Sequence, residues 1–307
     1  MSSLTVIRPG MLTTIQDLGR WGFQSRGVPV AGPMDEYSHR LANRLVGNGD
    51  DAAALEITLI GPEVQFDVGV VCAVAGATFG MAVGDTPVPM HAPFEVPAGA
   101  RLRFGARSAG TRATLAVRGG IAADPIFGSA ATSLISRMGP LGGRALKAGD
   151  VLPLGHATGS PGRAPRGFPL PLPAGGGRLR VIAGPHADRF TSGAFETLYG
   201  SRFTITPQSN RMGYRLDGPP LAHSGSADIL SDATAIGSLQ VPASGQAIML
   251  MADRQTTGGY PKIATVITAD LPIAGQLAPG DWVEFAACTK HAAIDALKSR
   301  RHRLEGR

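Results

Sequence analysis

Residues 251–262 read MADRQTTGGYPK. They follow the apolar run Ala247–Met251 and lead into a second β-like run, Lys262–Leu271. Two such runs around the glycine pair Gly258-Gly259 predict a β-hairpin. Polar residues and glycine are also ordinary turn residues. The local pattern therefore leaves a plain hairpin tip and a functional site equally open.

This stretch has more hydrogen-bonding groups than a tight turn needs. Within ten positions it places Asp253, Arg254, Gln255, Thr256, Thr257, Tyr260 and Lys262. A similar segment in the first half, Leu115–Asp124 (LAVRGGIAAD), has the same strand and double glycine but almost no polar side chains. The contrast favours a functional interpretation of Asp253, Gln255 and Tyr260.

Length and composition indicate two β-rich domains. At about 150 residues per domain, 307 residues correspond to two. The chain has 42 glycines, 24 prolines and few long helical patterns, which favours short strands joined by turns. The charge is +6, but residues 298–307 hold five Lys or Arg against one Glu, which accounts for +4 of it. Nucleic-acid binding is therefore not expected.

The sequence lacks the features of an exported or membrane protein. The first ten residues have no apolar signal core, and no window reaches about 18 consecutive apolar residues. The two cysteines, Cys72 and Cys288, are far apart and form no disulfide framework. We expect a cytoplasmic protein with no membrane contact.

The two halves repeat the same order of features. Gly32-Pro33 and Gly184-Pro185 each precede a helical pattern and a β run, and residues 146–154 (LKAGDVLPL) resemble residues 277–285 (LAPGDWVEF). This order predicts two related lobes, each a closed or nearly closed β-barrel with one helix, because closure removes exposed edges. The predicted parts are an N-terminal lobe at 1–155, a Pro/Gly-rich linker at 156–178, a C-terminal lobe at 179–290, and a basic helix and tail at 291–307.

Several common catalytic motifs are absent. The sequence has no P-loop, no G-x-G-x-x-G after a strand, no G-x-S-x-G, and no paired Cys or H-x-x-x-H spacing. A zinc site is therefore not expected. No Met-Lys-Met is present, so the chain has no evident biotin-attachment lysine of its own.

Polar clusters at turns remain as site candidates: Gln16–Arg20, Gly32–Asp35, Ala54–Glu56, Ser209–Arg215 and the opening stretch. Two members have simpler explanations. Asp35 precedes a helical pattern that ends at Gly47-Asn48, and Asp is a preferred N-cap. On strand alternation, Glu56 shares a face with Thr58 and is expected to face solvent, the other option being a buried carboxylate with a partner.

The chain resembles one family over residues 4 to about 287. The resemblance rests on QDLGR, GxxxxGPMD, AALEITLxGP, RATLAVRGG, GRALKAGD, NRMGYRLDG and, above all, the segment from MADRQTTGGYPK to QLAPGD. It is similar to the biotin-dependent carboxyltransferase domain family. That family includes KipA, the C-type subunit of 5-oxoprolinase and allophanate hydrolase subunit 2.

The resemblance implies a fold, partners and cofactors. It implies two cyclophilin-like β-barrel lobes and a KipI-like partner (the B-type subunit of 5-oxoprolinase, or allophanate hydrolase subunit 1). A third subunit of the LamB/YcsF type would complete a complex that uses ATP on a small amide or lactam. In the urea carboxylase branch of the family, carboxybiotin supplies a carboxyl group to urea, and here it would have to come from a separate carrier.

The resemblance also implies a lined pocket. The matching substrate-binding positions are Gln16, Asp17, Arg20, Asp35, Glu56, Asn210, Tyr214, Thr256, Thr257, Gly258 and Gly259, and the catalytic ones are Arg211, Asp253, Gln255 and Tyr260. As hypotheses, Arg211 binds a carboxylate or oxyanion, and Asp253 orients or deprotonates an amide N–H. Gln255, Tyr260 and the Gly258-Gly259 backbone hold the amide. Alanine at Asp253 or Arg211 is expected to abolish partner-dependent turnover and leave the fold intact.

Three functions remain open. The first is the C-type subunit of a 5-oxoprolinase or an allophanate-hydrolase-like complex, a hydrolase subunit active only with its partner. The second is a carboxyltransferase half that uses carboxybiotin. The third is a non-enzymatic regulator that binds a KipI-like kinase inhibitor, which needs a partner surface but no intact pocket.

Overall fold

The computed structural model describes residues 2–156 and 169–306. Their contacts divide the chain into two compact units. The first unit comprises Met1–Arg20, Ala31–Leu172 and Arg301–Arg307. The second comprises Trp21–Val30 and Pro173–Arg300. Each unit is built around its own β-sheet.

The first unit contains a nine-stranded sheet and the helix α1. Its strands are β1 (Ser3–Arg8), β2 (Leu12–Gln16), β3 (Ala54–Thr58), β4 (Glu63–Phe66), β5 (Val70–Val83), β6 (Thr86–Val88), β7 (Phe94–Val96), β8 (Arg101–Val117) and β9 (Val151–Pro153); its helices are α1 (Glu36–Leu45) and the single turn α2 (Pro140–Gly143). The sheet order is β2-β3-β8-β4-β1-β9, and β5 pairs with β8, β6 and β7.

The curled sheet of the first unit buries both of its faces. One face packs leucines, valines and phenylalanines into the core, among them Leu55, Leu115 and Phe66. The other face presents small alanines from β3, β5 and β8 beneath the apolar side of α1. Small side chains let a helix approach a sheet closely, so this alanine surface explains where α1 lies.

The second unit is a closed barrel. Its strands are β10 (Gly176–Ala183), β11 (Arg202–Ile205), β12 (Gly213–Asp217), β13 (Asp232–Ala233), β14 (Ser238–Gln240), β15 (Ile248–Leu250), β16 (Thr257–Gly258), β17 (Lys262–Val266) and β18 (Trp282–Ala287); its helices are α3 (Ser192–Gly200), α4 (Leu271–Gly275) and α5 (Lys290–Glu305). The residues of α5 from Arg301 onward belong to the first unit. Seven strands close in the order β10-β17-β14-β15-β12-β11-β18, while β13 and β16 form a separate two-stranded sheet.

The predicted fold class is confirmed. The chain is mainly β, in two lobes whose elements follow the repeated order read from the sequence. Each lobe has one main helix within its sheet region, α1 in the first and α3 in the second. The second sheet closes completely, whereas the first is a curled sheet with an open path of strands.

The predicted hairpin at residues 251–262 is wrong. Strands β15 and β17 both pair antiparallel with β14, which lies between them, so they run parallel to each other. The connecting residues 251–261, called the barrel crossover below, therefore run back from the end of β15 to the start of β17 and form β16 on the way. The β run after Lys262 is also shorter than predicted, because a 3₁₀ turn at Thr268–Asp270 and Pro272 at the start of α4 end the extended conformation.

The ends of the predicted linker and tail differ from the structure. Residues 157–168 of the linker lie outside the described residues, and residues 176–178 belong to β10. Helix α5 continues to Glu305, and its Leu304 is buried in the α1 cluster of the first unit. Arg44 donates a hydrogen bond to the Leu304 carbonyl at 3.1 Å. The predicted basic helix is therefore present, and its last turn is packed through Leu304.

Candidate functional site

Arg211 and Asp253 form a buried ion pair in the second unit. The Nε of Arg211 lies 3.0 Å from Oδ2 of Asp253, and Nη2 lies 3.2 Å from Oδ1. Their side chains are 5% and 1% exposed. The backbone N–H of Asp253 also donates to the carbonyl of Arg211 at 2.8 Å. The two groups to which the sequence assigned separate catalytic roles are therefore bonded to each other.

Arg254, the next residue, is buried without a carboxylate partner among the described residues. Its side chain makes one hydrogen bond there, from Nε to the carbonyl of Thr234 at 3.3 Å. Burial alone lowers the pKa of Arg254 to about 10. Sequence reasoning assigned no role to this residue, because a single Arg in a polar run has no distinguishing pattern.

Lys262, the last residue of the stretch 251–262, is its second buried cation. Its side chain is 1% exposed, and its Nζ donates to Oδ2 of Asp232 at 2.7 Å. The hydrogen bond from Lys262 holds the pKa of Asp232 below its usual range. His186 lies 3.8 Å from the same carboxylate, and burial, followed by the charge of Lys262, lowers its pKa. Asp232 and His186 lie in segments without any recognisable motif.

Two glutamines connect the segment to the barrel wall. Gln255 donates from Nε2 to Oε1 of Gln240 at 3.1 Å. Gln240 belongs to β14 and is opposite Lys262 in the strand register. The Nε2 of Gln240 is buried and has no hydrogen-bond partner among the described residues. Gly258 leaves room for this amide, since a Cβ there would stand 2.3 Å from Gln240 Nε2.

The other predicted residues of the second unit have mostly structural contacts. Tyr214 is buried and donates to the carbonyl of Leu277 at 3.2 Å. Asn210 is exposed, and its Oδ1 accepts from the N–H of Met212 in a local turn. Tyr260 is 41% exposed. The remaining four lie in the β13–β16 region: Thr256 and Gly259 accept backbone hydrogen bonds there, and Thr257-Gly258 forms β16.

In the first unit, Gln16, Asp17 and Arg20 hold one loop in place. Gln16 donates to the carbonyl of Thr132 at 3.0 Å. Asp17 accepts from the Ser129 hydroxyl and the N–H of Ala130, both at 2.6 Å. The guanidinium of Arg20 donates to the carbonyls of Ile126 and Ala131. The structure thus brings these three predicted residues together around residues 126–132.

Asp35 and Glu56 lie at the start of α1. Asp35 is the N-cap, accepting from the N–H of Ser38 at 2.9 Å, as helix capping predicted. The expectation that Glu56 faces solvent is wrong, because the residue is 2% exposed. On alternation it shares the face of Ala54, and α1 covers that face. Its Oε2 accepts from the N–H of Met34 at 2.6 Å.

The described residues contain no cluster of three metal-binding side chains. Within the same ranges, no helix combines the length and apolar character needed to span a membrane. The chemistry-bearing groups of the second unit are instead concentrated on the barrel crossover and its neighbours: Arg254, Gln255, Asp232, Lys262, His186 and Gln240.

Comparison with known proteins identifies the family. Residues 26–287 match the model of the carboxyltransferase domain, subdomains A and B. The chain belongs to this family. It is 39% identical to the C-type subunit of 5-oxoprolinase from Escherichia coli over 302 residues, which is 98% of this chain and 96% of that protein. It is 37% identical to the corresponding 5-oxoprolinase subunit from Haemophilus influenzae over 281 residues, or 91% and 89% of the two chains.

Solved structures of carboxyltransferase-family members have the same fold. The crystal structure of urea amidolyase from K. lactis matches with a TM-score of 0.94 and 33% identity. The match covers 99% of this chain and 20% of the urea amidolyase chain. This chain therefore corresponds to one fifth of that protein, and to nearly the whole of the two bacterial proteins.

Proposed function

We propose that this chain is the C-type subunit of an ATP-dependent 5-oxoprolinase. The observation that carries the proposal is the 39% identity to such a subunit from Escherichia coli over 98% of this chain and 96% of that protein. The reaction adds water across the lactam C–N bond of 5-oxoproline to give glutamate, and ATP hydrolysis drives it. The chain acts on this small lactam within a complex and not alone.

The geometry of the second unit suggests how substrate would be held. Asp253 is committed to Arg211, so it positions the crossover. Asp232 is half-exposed, and its contact with Lys262 keeps it ionised, so it is the better acceptor for a lactam N–H. Asp232 is opposite Gly258 in the β13–β16 register, and the amides of Gln240 and Gln255 lie next to Gly258. We assign substrate recognition to this cluster and positioning to the Arg211–Asp253 pair.

The partners in this proposal are a KipI-like protein, the B-type subunit of 5-oxoprolinase, and a third subunit of the LamB/YcsF type. ATP is consumed by the complex, and we assign its site to no residue of this chain. Both bacterial relatives are named as one subunit of 5-oxoprolinase, which supports a multi-subunit enzyme.

The test is reconstitution. The chain is co-expressed with the KipI-like and LamB/YcsF-like proteins, and glutamate release from 5-oxoproline is measured with and without ATP. We expect ATP-dependent release by the complex and none by the isolated chain. Turnover by the isolated chain, or a stable complete complex that releases no glutamate, would overturn the proposal.

A second candidate is carboxyl transfer from carboxybiotin to urea. The observation in its favour is the TM-score of 0.94 to a urea amidolyase over 99% of the chain. A biotinylated carrier would have to be a separate protein, since the sequence has no Met-Lys-Met. Carboxylation of urea by the same complex with a biotinylated carrier, in the absence of 5-oxoproline cleavage, would favour this candidate.

A further inference from the structure

Three cations are buried in the described part of the second unit: Arg211, Arg254 and Lys262. Arg211 is neutralised by Asp253 and Lys262 by Asp232. Arg254 is 7% exposed and forms no ion pair within residues 2–156 and 169–306. Burying a charge is costly unless an opposite charge or hydrogen bonds compensate. The positive charge of Arg254 is therefore the one in this region that remains to be balanced.

The contacts of Arg254 leave most of its donors available. A guanidinium has five N–H groups, and the described residues take up one of them, at the carbonyl of Thr234. The Nη atoms have no hydrogen-bond partner among the described residues and are not completely buried, since they are absent from the fully buried unpartnered atoms. An accessible guanidinium edge is the group that matches a carboxylate with two parallel hydrogen bonds.

A second observation points to the same kind of ligand. Gln255, next to Arg254, bonds to Gln240, whose buried Nε2 has no acceptor among the described residues. The side-chain groups of Arg254 and Gln240 that lack an acceptor among the described residues are thus donors. A ligand that pairs with Arg254 presents acceptors and a negative charge. A cation or a neutral, donor-rich amide such as urea does not have this chemistry.

We propose that Arg254 binds the carboxylate of the substrate. The inference rests on the proposed function, because 5-oxoproline carries one carboxylate beside its lactam. Arg254 then distinguishes 5-oxoproline from an uncharged lactam, while Asp232 and the glutamines face the amide. The role differs from the one the sequence suggested, in which Arg211 was the anion-binding residue.

The experiment uses the reconstituted complex with wild-type chain, Arg254→Gln, Arg254→Lys and, as a control, Arg178→Gln, which changes an exposed Arg in β10. The KM for 5-oxoproline and the Kd of 5-oxoproline without ATP are measured. Loss of a charged hydrogen bond, about 1.5–3 kcal/mol, predicts that Arg254→Gln raises both values by roughly 10- to 100-fold. Arg254→Lys should raise them less, and Arg178→Gln should leave them within twofold.

Uncharged 2-pyrrolidinone separates charge recognition from general damage. For the wild type, the inhibition constant of 2-pyrrolidinone should be much larger than the Kd of 5-oxoproline. The same inhibition constant should change little in Arg254→Gln. If the wild-type complex is active and Arg254→Gln has the same KM and Kd, the role of Arg254 is overturned, while the proposed function stands. If Arg254→Gln does not fold, Arg254→Lys decides by the same criterion. A wild-type complex inactive on 5-oxoproline overturns the proposed function itself.

Discussion

Arg211 and Asp253 hold together two segments that are 42 residues apart in the chain. The pair fastens the beginning of the barrel crossover to the turn before β12, through both side chains and a backbone hydrogen bond. Because the carboxylate is bonded to the guanidinium, we expect the pair to act as a structural support for the residues that follow it, Arg254 and Gln255.

Alanine at Asp253 should destabilise the protein. Removing one partner of a buried ion pair leaves an uncompensated charge, which costs about 3–5 kcal/mol. We expect a loss of this size in the free energy of unfolding, measured by urea titration. This replaces the expectation from the sequence that alanine at Asp253 or Arg211 leaves the fold intact.

The double variant Arg211→Met with Asp253→Leu is the control, because replacing both charges by apolar groups is far less costly than removing one. It should regain most of the lost stability. An Asp253→Ala variant as stable as the wild type would show that the pair does not support the crossover.

The sequence predicted the architecture because architecture follows from repeated patterns. The two Gly-Pro signals, the helical pattern after Asp35 and the β runs all fall in the expected order. The neighbours of β15 and β17 could not be predicted, because both strands pair with β14 through long-range contacts that the local sequence pattern does not encode. The predicted hairpin failed for this reason, and the solvent-facing Glu56 failed because the packing of α1 on its face of the sheet is likewise a tertiary contact.

The sequence could predict only the part of the candidate site that lies within residues 251–262. Arg254 and Lys262 are within residues 251–262, but what distinguishes them is burial and the presence or absence of a partner. Asp232 and His186 are 30 and 76 residues away from Lys262. No spacing connects such positions, so sequence reasoning assigned them no role.

His39 should make stability depend on pH. Burial lowers its pKa from 6.5 to about 4, against the opposing charge of Asp17. Between these values the unfolded chain binds a proton that the folded one excludes, so stability falls as pH drops from about 6.5 to about 4. The full loss is about 3 kcal/mol at 1.36 kcal/mol per pKa unit.

Urea titrations at several pH values between 4 and 7 test this expectation. His39→Gln should have a shallower slope of unfolding free energy against pH than the wild type. His291→Gln changes an exposed histidine in α5 and should keep the wild-type slope. Equal slopes for His39→Gln and the wild type would contradict the buried neutral imidazole.

Gly184 should not tolerate a side chain. A Cβ at this position would stand 2.1 Å from the carbonyl oxygen of Lys262, a backbone atom that cannot move alone. Gly184→Ala is expected to cost roughly 1–3 kcal/mol, in line with overpacked sites. Gly193→Ala is the matched control, because its nearest atom would be 3.9 Å away, within α3, where Ala is favoured. The melting temperature should fall for the first variant and hold or rise for the second.

Removing Asp232 should destabilise the protein more than removing Lys262. Lys262 is 1% exposed and Asp232 is 48% exposed, so the two charges depend on each other to different degrees. Asp232→Ala leaves a buried ammonium without its counter-charge, which costs several kcal/mol unless the lysine loses its proton. Lys262→Met leaves a carboxylate that water can solvate and fills the buried volume with an apolar chain. We therefore expect Asp232→Ala to lower the unfolding free energy clearly more than Lys262→Met.

An exposed ion pair serves as the control for this comparison. Asp85 pairs with Arg103 on the first unit and is fully exposed, so Asp85→Ala should change stability by less than about 1 kcal/mol. If Lys262→Met proves the more damaging variant, the ammonium contributes through contacts other than Asp232, and the carboxylate is not held ionised by Lys262.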